Sequence, residues 1–307
     1  MLEMRIRVLV FLIVLVAVSS AGTFAQNAPE HLLEQARVGI SVFVTDANGN
    51  PVSAISDGDL SIEDEHKPPR TVIAVTHDTS PVRLGLLIDK SNSQSRSELY
   101  KAGVQALNTF LKQVLQRDAD KVFIETLDTL PNRPTAWMSA DELGKIRLDL
   151  QPSGASSLFD AIDFVCKERL TGNSPPARRV LVVLTDGGDN QSRINVNAAI
   201  AAAQRAKAAI IAISTREAGN NYQQPGTDSV LKRLAEDTGG SAFLDLRPKD
   251  MRKVFSEIAY QLDSMFQVVY IPAETAKSGE AHQVRTKPIP GKKLHVQAPK
   301  QYYAVTR

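Results

Sequence analysis

Residues 89 to 93 place one carboxylate and two hydroxyl groups within five positions, on Asp89, Ser91 and Ser93. Carboxylate and hydroxyl oxygens are hard ligands of the kind that Mg²⁺, Mn²⁺ or Ca²⁺ prefers. The run before them, Leu84 to Ile88, is apolar throughout, which predicts a short strand buried on both faces. Ligands of open α/β sheets bind just beyond the carboxyl ends of such strands. The pattern therefore predicts a divalent-cation site.

Two later segments supply further oxygen-bearing side chains. Ser156 lies in a Gly-Ala-Ser-Ser turn ahead of a helical pattern, and Asp186 follows the apolar run Val180 to Leu184. A serine ahead of a helix is equally well explained as a helix cap, and this alternative applies to Ser91 and Ser93 as well. The three segments together fit one sheet edge and favour a shared site. Its five candidate residues are Asp89, Ser91, Ser93, Ser156 and Asp186.

Composition limits the function classes. The 307 residues carry a formal net charge of +2, which gives no excess of positive charge for nucleic acid and allows one large or two modest domains. None of the five histidines lies in the three segments, and the chain has neither a Gly-x-Ser-x-Gly elbow nor a Gly-x-x-x-x-Gly-Lys phosphate loop. These patterns favour a binding module over an enzyme.

The first 25 residues predict export. Arg5 and Arg7 precede an apolar run from Val8 to Val18, and small residues then lead to a plausible cleavage point after Ala25. An uncleaved inner-membrane anchor through residues 8–25 is the alternative, and it is the only membrane association that we expect. The sole cysteine, Cys166, cannot form an internal disulfide and is expected to be a buried thiol. Export without disulfides favours a bacterial periplasmic or secreted protein.

The order of predicted elements gives the fold class. Strand and helix patterns alternate over residues 81–265, which predicts an α/β domain with a doubly wound, mostly parallel sheet and helices on both faces. Residues 36–80 show apolar residues at every second position, and residues 266–307 have no helical period. We expect these two segments to pair as one small flanking β unit. The acidic run over residues 57–65 lacks the spacing of a calcium-binding helix–loop–helix motif and predicts a solvated strand edge.

The three segments resemble a known site. The sequences Asp-Lys-Ser-Asn-Ser at 89–93, Gly-Ala-Ser-Ser-Leu-Phe-Asp at 154–160 and Leu-Thr-Asp-Gly at 184–187 are similar to the three loops of the metal-ion-dependent adhesion site of von Willebrand factor type A (VWA) domains. The resemblance covers about residues 81–262. It extends more weakly to the flanks, which are similar to a bacterial exported group called von Willebrand factor A-related.

This resemblance implies roles for the candidate residues. Ser91 and Ser93 would bind the metal directly, Ser156 would replace the family's threonine, and Asp89 and Asp186 would act mainly through water. The implied cofactor is Mg²⁺, with Ca²⁺ or Mn²⁺ as alternatives. The implied function is to capture an Asp or Glu carboxylate of a partner protein in an exported adhesion or scaffolding module. Two alternatives stay open: a metal-independent scaffold and a metal-dependent phosphohydrolase.

Two residues depart from the family pattern. Asn92 replaces the usual glycine, which is tolerable because asparagine adopts left-handed backbone conformations more readily than most residues. Lys90 brings an ammonium group next to the site, and we expect its side chain to point outward. An inward orientation would weaken cation binding.

Overall fold

The alternating and apolar runs of the sequence form the strands of three sheets. The computed structural model describes residues 37–143, 149–171, 176–216, 226–274 and 277–304; the predicted signal peptide lies outside these ranges. The strands within them are β1 (Val38–Asp46), β2 (Leu60–Asp64), β3 (Thr71–His77), β4 (Val82–Asp89), β5 (Lys121–Leu127), β6 (Arg178–Thr185), β7 (Ala209–Ser214), β8 (Ala242–Phe243), β9 (Met265–Ile271), β10 (Ala281–Pro288), β11 (Leu294–Gln297) and β12 (Gln301–Tyr303).

Side chains cap the start of two of the helices. The side chain of Ser97 accepts a hydrogen bond from the Tyr100 amide, and that of Asn195 accepts one from the Ala198 amide. The α-helices are α1 (Glu98–Val114), α2 (Ala140–Leu143), α3 (Leu158–Val165), α4 (Val196–Arg205), α5 (Thr227–Thr238) and α6 (Met251–Asp263). A π-helical turn, Cys166–Leu170, extends α3. No helix among the described residues is both long and apolar enough to cross a membrane.

The central sheet is parallel, with strand order β5-β4-β6-β7-β8. Its two faces are covered by different helices. Apolar residues of α1 and α6 bury one face, including Phe110, Phe255 and Ile258. Residues of α3, α4 and α5 bury the other, including Ile162 and Leu231. The predicted doubly wound sheet with helices on both faces is therefore confirmed.

The flanking segments pair with each other as predicted, and their strands form two antiparallel sheets. The strand orders are β11-β1-β9-β3 and β12-β10-β2. One apolar cluster joins both sheets and contains Val42, Ile62, Val268 and Val284. The prediction of a small β unit from the two ends of the described chain is therefore confirmed, with a layered arrangement that the local pattern did not specify.

The prediction of a solvated strand edge at residues 57–65 is wrong for Asp64. This carboxylate is 3% exposed. It accepts hydrogen bonds at 2.8 Å from the hydroxyls of both Tyr270 and Tyr302, and its other oxygen lies 3.1 Å from Nδ1 of His282. These contacts of the carboxylate link β2 to β9, β10 and β12. They also satisfy the carboxylate, since a buried charge without such partners is costly.

The chain passes between the β unit and the central sheet in two places, and Arg178 donates hydrogen bonds near both. Its guanidinium donates to the carbonyl of Ser80, in the segment between β3 and β4, at 2.8 Å. It also donates to the carbonyl of Leu262, near the end of α6, at 2.6 Å. The sequence pattern predicts a last helix over Lys249–Met265, but α6 is shorter, since Met265 begins β9 and only Ser264 separates that strand from α6.

Candidate metal centre

The first loop begins where β4 ends at the fully buried Asp89. The Ser91 amide donates to Oδ1 of Asp89 at 2.8 Å, and the hydroxyls of Ser91 and Ser93 lie 3.0 Å apart. Ser91 is buried and Ser93 is exposed. Neither hydroxyl caps the 3₁₀ turn that follows, because Ser91 makes no side-chain cap hydrogen bond and α1 is capped by Ser97. The capping explanation therefore does not account for these two serines.

Hydroxyls from the other two segments converge on the same carboxylate. Oδ2 of Asp89 accepts a hydrogen bond from Thr185, the last residue of β6, at 2.6 Å and one from Ser156 at 3.5 Å. Ser156 is 5% exposed and is not a cap either, since the residue that precedes α3 is Ser157. Asp89 is thus the point at which the ends of β4, β6 and the second loop meet.

The third loop adds a second buried carboxylate. Asp186 is 4% exposed, and its Oδ1 accepts a hydrogen bond from the Gly188 amide at 3.0 Å. No hydrogen bond among the described residues joins Asp186 to the three serines, but its charge acts on Asp89. Burial and the charge of Asp186 together raise the pKa of Asp89 to about 7, against the hydrogen bonds from Thr185 and Ser91.

The loops are fixed to one another by backbone hydrogen bonds. The Asn92 amide donates to the Gly154 carbonyl at 3.0 Å, and the Ser156 amide donates to the side chain of Asn190 at 3.0 Å. Gly154 has a φ of 73°, and a Cβ there would lie 2.6 Å from Oγ1 of Thr129. Glycine is required at this turn because both the backbone conformation and the space exclude a side chain.

These residues fit a hard divalent cation. Two carboxylates that are buried close together repel each other, and a cation between or beside them would relieve that repulsion. Three hydroxyl groups supply neutral oxygen ligands of the type that Mg²⁺, Mn²⁺ and Ca²⁺ accept. The described residues contain no group of three or more His, Cys, Asp and Glu able to hold a metal. Any metal here would therefore depend on the serine hydroxyls together with Asp89 and Asp186.

Comparison with known proteins gives the family. The family model of the von Willebrand factor type A domain matches residues 84–257, which is more than half of the chain. The chain belongs to the VWA family. The resemblance that the three loops suggested is confirmed at the level of the domain. No curated protein matches the chain.

The chain is also similar to solved structures at low sequence identity. A von Willebrand factor type A protein from Catenulispora acidiphila has 12% identity and a TM-score of 0.49, covering 88% of this chain and 75% of that one. The vWF domain of the type V pili tip protein Mfa5 from Porphyromonas gingivalis has 15% identity and a TM-score of 0.48, covering 61% and 96%. The PilB minor pilin from Streptococcus sanguinis has 14% identity and a TM-score of 0.46, covering 65% and 63%.

Both departures from the VWA pattern differ from expectation. The side chain of Lys90 does not point outward: it is 12% exposed and its ammonium lies 3.3 Å from a carboxylate oxygen of Asp128. Asn92 does not adopt a left-handed conformation, since it begins the 3₁₀ turn Asn92–Arg96 and is absent from the described residues with positive φ. Lys90 is thereby paired with a carboxylate, and the substitution at position 92 needs no special backbone geometry.

Sequence reasoning missed the loop that follows β5. Asp128 pairs with Lys90, and its backbone carbonyl accepts hydrogen bonds from the amide and the hydroxyl of Ser157, both at 3.0 Å. The available signal was a carboxylate one residue beyond a predicted strand. Thr185 was missed as well, although a hydroxyl at the end of an apolar strand and directly before Asp186 is visible in the sequence. Cys166 is buried as predicted, and burial raises the pKa of its thiol.

Proposed function

We propose that this VWA protein is an exported interaction module that binds a divalent cation, Mg²⁺ with Ca²⁺ or Mn²⁺ as alternatives, and captures an Asp or Glu carboxylate of a partner protein. The observation that carries the proposal is the convergence of the serine loops on one buried carboxylate. Asp89 accepts hydrogen bonds from three separate segments of the chain, through Ser91, Ser156 and Thr185.

Each residue has a definable task in this proposal. Asp89 fixes the first loop through the Ser91 amide and holds Ser156 in place through its hydroxyl. Ser91, Ser93 and Ser156 would be the direct ligands, whereas Asp89 and Asp186 supply negative charge at the site. Ser93 is exposed, so the site is open on that side to a second protein. A bound cation would supply a Lewis-acidic position for the incoming carboxylate oxygen.

A binding role is preferred to hydrolysis. Hydrolysis requires a group that activates water, and the described histidines lie in the β unit or in the segment before β3, at positions 66, 77, 282 and 295. VWA family membership supports an interaction module. Export is proposed from the signal-like residues 1–25 and the single cysteine alone.

Mg²⁺ titration of matched serine variants tests the site. We expect Ser91→Ala and Ser93→Ala each to weaken Mg²⁺ binding in isothermal titration calorimetry, and Asp186→Ala to abolish it. Ser95→Ala is the control, because this exposed serine belongs to the same 3₁₀ turn and lies outside the pattern. Circular dichroism verifies that each variant is folded. Unchanged Mg²⁺ affinity in Asp186→Ala would show that the assignment is wrong.

Capture of a partner from periplasmic extract, with and without EDTA, tests whether partner binding depends on the cation. We expect capture to require the cation and to be lost in Ser91→Ala but kept in Ser95→Ala. Capture that persists both in EDTA and in Ser91→Ala would instead favour a metal-independent scaffold. Metal-dependent turnover of a generic phosphoester would favour the phosphohydrolase.

A further inference from the structure

Three cationic residues lie side by side at the amino-terminal ends of strands of the central sheet. The candidate metal centre is at the carboxyl-terminal ends of strands of the same sheet. Lys121 of β5, Arg83 of β4 and Arg179 of β6 are at the same register, since Arg83 pairs with Lys121 on one side and with Arg179 on the other. Residues in register on parallel strands point to the same face, and neighbouring strands lie about 4.8 Å apart. These three residues are called the cationic row.

The chain does not neutralise this row. Among the described residues, the side chains of Lys121 and Arg179 have neither an ion pair nor a hydrogen bond, and none of the three is paired with a carboxylate. Arg83 donates only to the neutral carbonyls of Val82 and Ala119. Burial and the neighbouring Arg83 lower the pKa of Arg179. Like charges directly opposite each other on neighbouring strands are destabilising.

Among the three residues of the row, Arg83 has contacts that fix its position. Arg83 lies over the ring of Trp137 at 6.0 Å, and Trp137 packs edge-on against Phe123 at 5.0 Å between ring centroids. The next carboxylate along this face of β5 is Glu125, four residues beyond Lys121, about 13 Å along the strand. That distance is too long for an ion pair between Lys121 and Glu125.

Arg83 and Arg179 are partly buried, so their charges are only partly compensated by water.

We propose that Lys121, Arg83 and Arg179 bind a tetrahedral oxyanion, the phosphate or sulfate group of a ligand. Arginine presents a planar fork of donors that matches such oxyanions, and lysine adds a point charge. Arg83 and Arg179 are in register on adjacent strands, and the charge of Arg83 acts on Arg179, which favours contact of both guanidinium groups with one anion. The site is distinct from the candidate metal centre, and nothing in it depends on the proposed carboxylate capture.

Fluorescence of Trp137, the only tryptophan of the chain, provides the assay. Inorganic phosphate is titrated against chloride at matched ionic strength. We expect saturable binding of phosphate by the wild-type protein and at least about tenfold weaker binding by Arg179→Gln, because one charge-assisted donor set is lost. Arg252→Gln is the control, since this exposed arginine lies on α6. Equal phosphate binding by the wild type and Arg179→Gln would overturn the proposal, as would no response specific to phosphate.

Thermal unfolding separates an anion site from a structural arginine. In phosphate-free buffer at low salt, Arg179→Gln should have a Tm equal to or above that of the wild type, because it relieves repulsion within the row. Phosphate should then raise the Tm of the wild type more than that of the variant. A marked fall in Tm without phosphate, with the same phosphate-induced rise as the wild type, would identify Arg179 as structural and refute the proposal.

Vesicle binding distinguishes two sources of the phosphate group. If the group belongs to a lipid, sedimentation with phosphatidylglycerol vesicles should exceed that with phosphatidylcholine vesicles and fall in Arg179→Gln but not in Arg252→Gln. If the ligand is a free phosphate, fluorescence titration should succeed and neither kind of vesicle should bind. Absence of a phosphate-specific fluorescence response overturns the proposal whatever the vesicle result, which only assigns the source of the phosphate group.

Discussion

Replacing Asp89 by asparagine removes the charge at the centre of the three loops while it keeps nearly the same shape. In the native protein, burial and the charge of Asp186 raise the pKa of Asp89 from 3.8 to about 7. A carboxyl whose pKa is higher in the folded than in the unfolded protein binds its proton more tightly in the folded state. The unfolding free energy of the metal-free protein should therefore fall as the pH rises from about 4 to about 7.

The size of the effect follows from the same values. The difference between 3.8 and about 7 corresponds to an upper bound of about 4 kcal/mol at pH above 7. Asparagine keeps an oxygen for the Ser91 amide but turns an NH₂ group towards Ser156 and Thr185, which disturbs two hydrogen bonds. We therefore expect Asp89→Asn to stabilise the metal-free protein by about 1–2 kcal/mol at about pH 8 and to give no gain at about pH 5.

Urea unfolding with EDTA or with saturating Mg²⁺ measures both consequences. The wild type should gain about 2.7 kcal/mol when Mg²⁺ is present at 100 times its dissociation constant, and Asp89→Asn should gain almost nothing. Asp118→Asn is the control, since this carboxylate is exposed. Equal destabilisation of Asp89→Asn at both pH values, with stability still gained from Mg²⁺, would show that the Asp89 charge neither costs stability nor contributes to Mg²⁺ binding.

Three further predictions concern other buried polar groups. Thr185→Val removes the hydroxyl that donates to Asp89 at 2.6 Å and should lower the unfolding free energy by about 1–3 kcal/mol; unchanged urea unfolding would contradict this. Both carboxyl oxygens of Glu125 are buried without a hydrogen-bond partner, and burial raises its pKa to about 8. Glu125→Gln should therefore gain stability progressively as the pH rises from 4.5 to about 8, without a change in Mg²⁺ affinity, and a gain independent of pH would be inconsistent. Asp64→Ala should cost about 2–4 kcal/mol by leaving tyrosine hydroxyls without an acceptor, and a double-mutant cycle with Tyr270→Phe should show coupling; strictly additive losses would exclude the shared hydrogen bond.

The sequence was sufficient for the fold wherever local patterns determine structure. The apolar pattern of Lys121–Leu127 predicts a strand, and β5 has these bounds; Ser97 is of a residue type that predicts a helix cap, and it caps α1. The two-residue strand β8 was missed because two residues carry no periodicity. Division of the β unit into two sheets was missed because strands more than 200 residues apart pair there, as β1 does with β9. Such pairing leaves no mark in a local pattern.

The candidate site was predictable only in its outline. The rule that parallel strands end at one edge predicts that Asp89, Ser91 and Ser156 lie together, and hydrogen bonds join Asp89 to the other two residues. Sequence reasoning did not find that Lys90 pairs with Asp128, because that contact joins two loops 38 residues apart. Binding of Mg²⁺ stays a prediction.

The position of Arg178 has a practical consequence for expressing the VWA domain alone. A fragment limited to residues 81–265 would lack the Ser80 carbonyl that accepts from its guanidinium and would end one residue into β9. A guanidinium that is 4% exposed would then have fewer acceptors, which is costly for a buried charge. A soluble fragment should therefore include Ser80 and retain β9 together with its partner strands β1 and β3. Since β1 is the first strand of the described chain, the shortest stable unit is close to the whole described chain.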